Sequence, residues 1–160
     1  MSSTHAWDDF VESAQELSAL IARAGSLTPE DRQRDLIAAL SGLELRCLAL
    51  PQVEPVDAAG GESPNTHLRW RDAIASAFPE FGLYHSIRPS PASEPESATL
   101  SDAVNGLADI MRDIDDALWE NGAHGRESGI WQAKFNYEHH LGSHLADLRS
   151  YLYRLRFFGP

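Results

Sequence analysis

His140 and His144 stand four residues apart in the run W-Q-A-K-F-N-Y-E-H-H-L-G-S-H over residues 131–144. On a helix that spacing puts both imidazoles on one face, as two ligands of a single metal ion require. At about 100° per residue, Asn136, His140, His144 and Asp147 fall within about 80° of one another. Glu138 and His139 point elsewhere, so E-H-H is not one cluster. Upstream, Asp102, Asp109, Asp113 and Asp116 form an acidic strip at about 160–220° when Leu100 is set to zero. Asp109 and Asp113 are like charges one helical turn apart, which costs about 0.2–0.5 kcal/mol unless something compensates. Facing helices that bring two carboxylates against two imidazoles can hold zinc, manganese or iron inside a bundle. Asp109, Asp113, His140 and His144 are therefore the candidate metal ligands. As a set of four they could close a structural site, whereas a catalytic site needs an open position.

Each feature also has a plainer reading. A buried histidine is commonly hydrogen-bonded to an acid, a tyrosine or a backbone carbonyl. The histidines could equally line a surface patch. The residue after His140 is Leu141, so the pair is not the H-E-x-x-H of zinc proteases. A charge run is usually a solvated face, and the aspartate strip lies nearly opposite its own helix's apolar stripe. On the helical wheel Asp109 and Asp113 are expected to face solvent. Asp102 has a local use as the third residue of a capping box behind Thr99. His144 interrupts an apolar seam, so it is expected to be buried against a polar side chain of the preceding helix.

The elements that must carry these residues read as helices. Trp7, Phe10, Ala14, Leu17, Ile21 and Ala24 repeat at three and four over about residues 4–24, with Gly25 as a stop. Thr28-Pro29-Glu30-Asp31 reads as N-cap, proline and acids in a first turn. The second helix then carries Leu36, Leu40, Leu43, Cys47 and Leu50 to Pro51, making an antiparallel hairpin with the first. Cys47 on that seam reads as a small buried apolar residue. Residues 53–65 form a loop, and Thr66 can cap a short helix over 67–78. Phe81-Gly82-Leu83-Tyr84 is apolar enough to dock on the bundle, and 88–98 is a proline-broken connector.

A fourth helix, about 100–121, has Leu100, Val104, Leu107, Met111, Ile114 and Leu118 as its stripe and Gly122 as its stop. A fifth, about 130–157, has the seam Tyr137, Leu141, His144, Leu148, Tyr151 and Leu155. Arg149, Arg154 and Arg156 near its end suit the negative end of the helix dipole. No strand pattern longer than about four residues stands out. The expected fold is all-α: one domain over 1–160, with a four-helix-bundle-like core of two antiparallel hairpins plus a short extra helix.

Composition narrows the function. The formal net charge of -11 repels nucleic-acid phosphates and anionic lipid, so neither partner is expected. One cysteine excludes an internal disulfide. No apolar run approaches membrane-spanning length, and the start M-S-S-T-H-A-W-D-D has no leader pattern, so a cytoplasmic protein is expected. No nucleophile elbow or phosphate-cradling glycine loop is present. These features favour a non-enzymatic binding or adaptor module for a protein partner, with no cofactor. A divalent-metal protein, with hydrolysis as its chemistry, is the alternative. An acidic protein that neutralises a basic partner is a third reading, carried by charge alone.

The run A-D-I-M-R-D-I-D over 108–115, followed by W-Q-A-K-F-N-Y-E-H-H-L-G-S-H, resembles a bacterial family known only as domain of unknown function 5063. Asp109, Arg112, Asp113, Trp131, Phe135, Asn136, Glu138, His139, His140, Gly142 and His144 fit its pattern. Met111 and Leu141 stand where that pattern has tyrosine and tryptophan. F-G-L-Y over 81–84 is similar to the family's loop between the halves. The resemblance implies a small helical fold and that the aspartate and histidine strips belong together. It implies no activity.

Overall fold

The computed structural model describes residues 3–55, 63–87 and 97–159. Helix α1 (Ser3–Arg23) runs into a 3-10 turn at Ala24–Ser26. Helix α2 (Pro29–Ala49) starts at Thr28, whose hydroxyl accepts the Asp31 N–H, with Pro29 in the first turn. The expected stripes of both helices are buried: Trp7, Phe10, Ala14, Leu17 and Ile21 face Leu36, Leu40, Leu43 and Cys47. This hairpin has the pairing that its periodicity implies.

Helix α3 (His67–Ala77) follows. Thr66 does not cap it. Its hydroxyl is buried without a hydrogen-bond partner among the described residues, and the Asn65 side-chain oxygen accepts the His67 N–H instead. Of 81–84, Phe81 and Tyr84 dock as expected, while Leu83 is exposed. Phe81 stacks on Phe78 with ring centres 4.7 Å apart, and Tyr84 stacks on Tyr151 at 4.6 Å. The Tyr151 hydroxyl accepts the Gly82 N–H at 3.2 Å.

The next segment departs from the sequence reading. Strand β1 (Leu83–Ile87) pairs antiparallel with β2 (Ala98–Asp102), Leu83 opposite Asp102 and Ile87 opposite Ala98. Leu100 lies exposed in this ribbon and does not begin a helix. Helix α4 (Ala103–His124) starts three residues later, capped by Asp102, whose carboxylate accepts the N–H groups of Val104 and Asn105. The capping box on Thr99 is therefore absent. Ladder bonds to a strand remote in sequence outweigh local helix propensity here. Most of residues 53–65 and 88–98, read as loop and connector, lies outside the described residues.

Helix α4 is the centre of the molecule and packs on α1, α3 and the last helical segment. It continues past Gly122 to Gly125, whose φ of +97° turns the chain. Covered on more than one side, α4 buries Gly106, Ile110 and Asp113 as well as Leu107, Met111 and Ile114. That is why a single apolar stripe understates what α4 hides.

The last helix is not continuous. It divides into α5 (Arg126–Asn136), a π-helical turn (Tyr137–Leu141) and α6 (Gly142–Phe158). Beyond Ser128 and Gly129 in its first turn, the buried positions are Ile130, Ala133 and Asn136, then Leu141, Leu145, Leu148 and Leu152. The step of five across the π turn is one residue longer than an α-helix allows, so the two stripes sit about 100° apart on an unbroken wheel. Of the expected seam, Leu141 and Leu148 are buried, while Tyr137, His144, Tyr151 and Leu155 are half-buried on its flank. Gly142 is needed at the end of the turn, because a Cβ there would lie 2.6 Å from the Tyr137 carbonyl oxygen. Arg149 of α6 pairs with Glu44 of α2, and Arg156 donates to the Glu30 carbonyl at 2.7 Å. These arginines tie the second hairpin to the first, beyond any effect on the helix end. The fold is predominantly α-helical with a bundle-like core and one small ribbon.

Candidate metal centre

The π turn lies against α4 and carries His140 toward it. Asp113, expected in solvent, is the most enclosed member, with 5% of its side chain exposed. Its Oδ2 pairs with His140 Nδ1 at 2.7 Å, and its Oδ1 accepts from Arg112 Nη2 at 3.1 Å. The Asp113 carbonyl accepts from the buried Asn136 amide at 3.0 Å, and Gln132 donates to Asn136 Oδ1 at 2.8 Å. A carboxylate beside Nδ1 favours the proton on that nitrogen, leaving His140 Nε2 as an acceptor toward His144 Nε2.

His140 Nε2 lies 3.1 Å from His144 Nε2. Two ligands at about 2.0–2.1 Å from a tetrahedral ion are about 3.3–3.4 Å apart, so the ring nitrogens are close to that separation. Asp109 Oδ2 is 3.8 Å from His144 Nε2. One ligand atom each from Asp109, His140 and His144 fall within 4.8 Å of one another. The other Asp109 oxygen, Oδ1, is 3.3 Å from Arg112 Nη1 and 3.6 Å from His67 Nε2. Burial, and then the neighbouring His140, lower the His144 pKa, against the pull of Asp109, Asp113 and Asp147. Neutral imidazole is the form that offers a lone pair.

The four candidate residues thus share one place, in different roles. Asp109, His140 and His144 point ligand atoms at one another, and Asp113 stands behind His140. His144 meets a polar side chain of α4, Asp109, as expected, and also His140, but it is half-buried on the flank of the seam and not buried within it. The rest of the acidic strip is engaged elsewhere: Asp102 caps α4, and Asp116 Oδ1 accepts from Ser63 at 2.6 Å. Burial raises the Asp116 pKa, opposed by that hydrogen bond. His139 is exposed, stacked on Phe135 with Nδ1 against the Phe135 carbonyl, and takes no part. Spacing did not single out His67 or Arg112 at this cluster. Arg112 is detectable as the residue three after Asp109 on the same helix. His67 comes from α3, and nothing local ties it to Asp109.

Among the described residues no helix is long and apolar enough to cross a membrane. No curated protein matches the chain. The crystal structure of protein BF1032 from Bacteroides fragilis is similar in fold, with a TM-score of 0.74 and 20% identity over 94% of this chain and 91% of that one. The family described as "Domain of unknown function (DUF5063)" matches residues 2–157. This chain therefore belongs to that family.

Proposed function

We propose that this protein binds one divalent transition-metal ion through Asp109 Oδ2, His140 Nε2 and His144 Nε2. The observation that carries this reading is that one ligand atom each of Asp109, His140 and His144 lies within 4.8 Å of the other two, with His140 Nδ1 held by the enclosed Asp113 carboxylate. Two imidazoles and one carboxylate suit zinc, iron or manganese. Asp113 acts through His140 and not as a fourth ligand, as carboxylates behind metal-bound histidines commonly do. Three protein ligands leave a position for water, and 39% of the His140 side chain is exposed. Hydrolysis by a metal-activated water is the activity such an open site implies. The test is metal analysis of tag-free protein before and after chelator treatment, followed by zinc, manganese and iron(II) titration of the stripped protein. Stoichiometric binding that His144→Leu abolishes supports the reading. No binding of any of the three ions would overturn it.

A binding or adaptor role has separate support. Tyr153, Phe157 and Phe158 are exposed together near the end of α6, with Tyr153 and Phe157 rings 4.9 Å apart. Exposed aromatic groups of this kind are favoured at protein interfaces. Serine at Phe157 and Phe158 should then remove a partner captured by the intact protein. An unchanged set of partners removes this support.

A further inference from the structure

The two carboxylates at the metal centre share one partner. Arg112 sits between them on α4, with Nη1 3.3 Å from Asp109 Oδ1 and Nη2 donating to Asp113 Oδ1 at 3.1 Å. One guanidinium therefore takes the Oδ1 atom of both aspartates. Both Oδ2 atoms are left facing imidazoles, Asp113 toward His140 Nδ1 and Asp109 toward His144 Nε2. Arg112 is itself only 31% exposed at the side chain, so its geometry is constrained.

We infer that Arg112 is a positioning residue of the metal centre, whose fork makes Asp109 a one-oxygen ligand and fixes Asp113 against His140. The inference rests on the metal reading above. Two effects of the arginine oppose each other. Its positive charge repels a nearby cation, so charge alone would weaken metal binding. Its planar fork removes rotational freedom from two carboxylates at once, which strengthens binding, and lysine cannot reproduce that geometry. Groups that orient metal ligands typically change affinity by about 10–100-fold when removed. That exceeds the effect expected of a partly exposed, solvent-screened charge, so the fork should win.

The experiment separates the two effects. Zinc is titrated into metal-free wild type, Arg112→Lys and Arg112→Met, with thermal melts of each metal-free protein. Cobalt(II) absorption spectra report coordination geometry. Under the inference both variants bind zinc about 10–100-fold more weakly, and their cobalt spectra differ from wild type, while both remain folded. Arg112→Lys decides alone if Arg112→Met does not fold. If Arg112→Met binds more tightly and Arg112→Lys binds as wild type does, the arginine acts by charge and the inference is overturned. Wild-type affinity and spectra in both variants overturn it equally. If wild type itself binds neither zinc nor cobalt, the metal reading fails first and this inference falls with it.

Discussion

The α1–α2 hairpin and the hairpin of α4 with α5 and α6 bury their contact faces by different means. In the first, unbroken three-and-four stripes of Leu, Phe, Trp and Ala meet, with Ser13 and Gln33 also buried and Arg32 near the end, in a two-bond ion pair with Glu80 at 2.7 Å. In the second, Asp113 and Asn136 lie in the interface, and the helix after α4 carries an extra residue as a π turn. Apolar packing gains free energy in proportion to area and tolerates regular geometry. A buried carboxylate requires every oxygen to find a donor. The second hairpin meets that requirement with Arg112 at Oδ1 and His140 at Oδ2, while Asn136 donates to the main-chain carbonyl of the same residue. Regular packing there gives way to a fixed polar arrangement, the usual setting for a functional π turn.

The contrast predicts where substitutions act. The largest effect on stability should come from the first hairpin. Phe10 is fully buried, and Phe10→Ala should destabilise by about 3–5 kcal/mol. Metal affinity of the folded fraction should be unchanged. Chemical denaturation and zinc titration check the two halves of this statement, and a stability loss below about 1 kcal/mol would contradict the packing described. Asp113→Asn should do the reverse. It keeps the shape and loses the charge, so zinc affinity should fall by about 10–100-fold. Its stability loss should be smaller than that of Phe10→Ala. Equal zinc affinity in Asp113→Asn and wild type would mean that Asp113 does not act on the centre through His140.

Removing the inserted residue sharpens the comparison further. Glu138 is exposed within the π turn. Its deletion should let α5 and α6 join as one α-helix, with a melting temperature equal to or above that of the parent. His140 would lose its approach to Asp113, and zinc affinity should fall at least about 10-fold. A deletion variant that binds as the parent does would separate the π turn from the centre.

The two hairpins were also unequally legible. The first could be read from sequence because its signals are local: Thr28-Pro29 starts α2, Pro51 follows it, and the stripes between are periodic. For the second, the residues of the centre could be picked out by four-residue spacing, since Asp109 with Asp113 and His140 with His144 each share a helix face. Their orientation could not. Whether Asp113 is buried depends on what covers the far side of α4, and that is decided by helices remote in sequence. The π turn is equally hidden, because a wheel drawn at a constant 100° cannot show where one residue is inserted. It placed His144 on the seam, whereas Leu145 occupies it. The β ribbon was missed for a related reason: Leu83–Ile87 finds its partner only at Ala98–Asp102, across a connection that local pattern does not describe.

The smallest predicted effect again contrasts the seams. On the buried seam of the first hairpin Cys47 carries a thiol, and burial pushes it up to about 12 from an ordinary 9.0. In the native protein it should therefore resist thiol reagents at pH 8. Its effect on stability has a definite sign. The native thiol keeps its proton up to about 12, while the unfolded thiol loses its proton near 9.0. The contribution is complete below the lower value and is lost as pH rises through that interval. Tyr84, also pushed up to about 12 by burial, has the same sign. Cys47→Ala removes one of these two contributions without adding another. The stability gap between wild type and Cys47→Ala, measured by urea denaturation, should thus narrow from pH 8 to pH 10.5. A constant gap would mean that Cys47 ionises alike in both states, and that the first seam is less completely dry than its packing indicates.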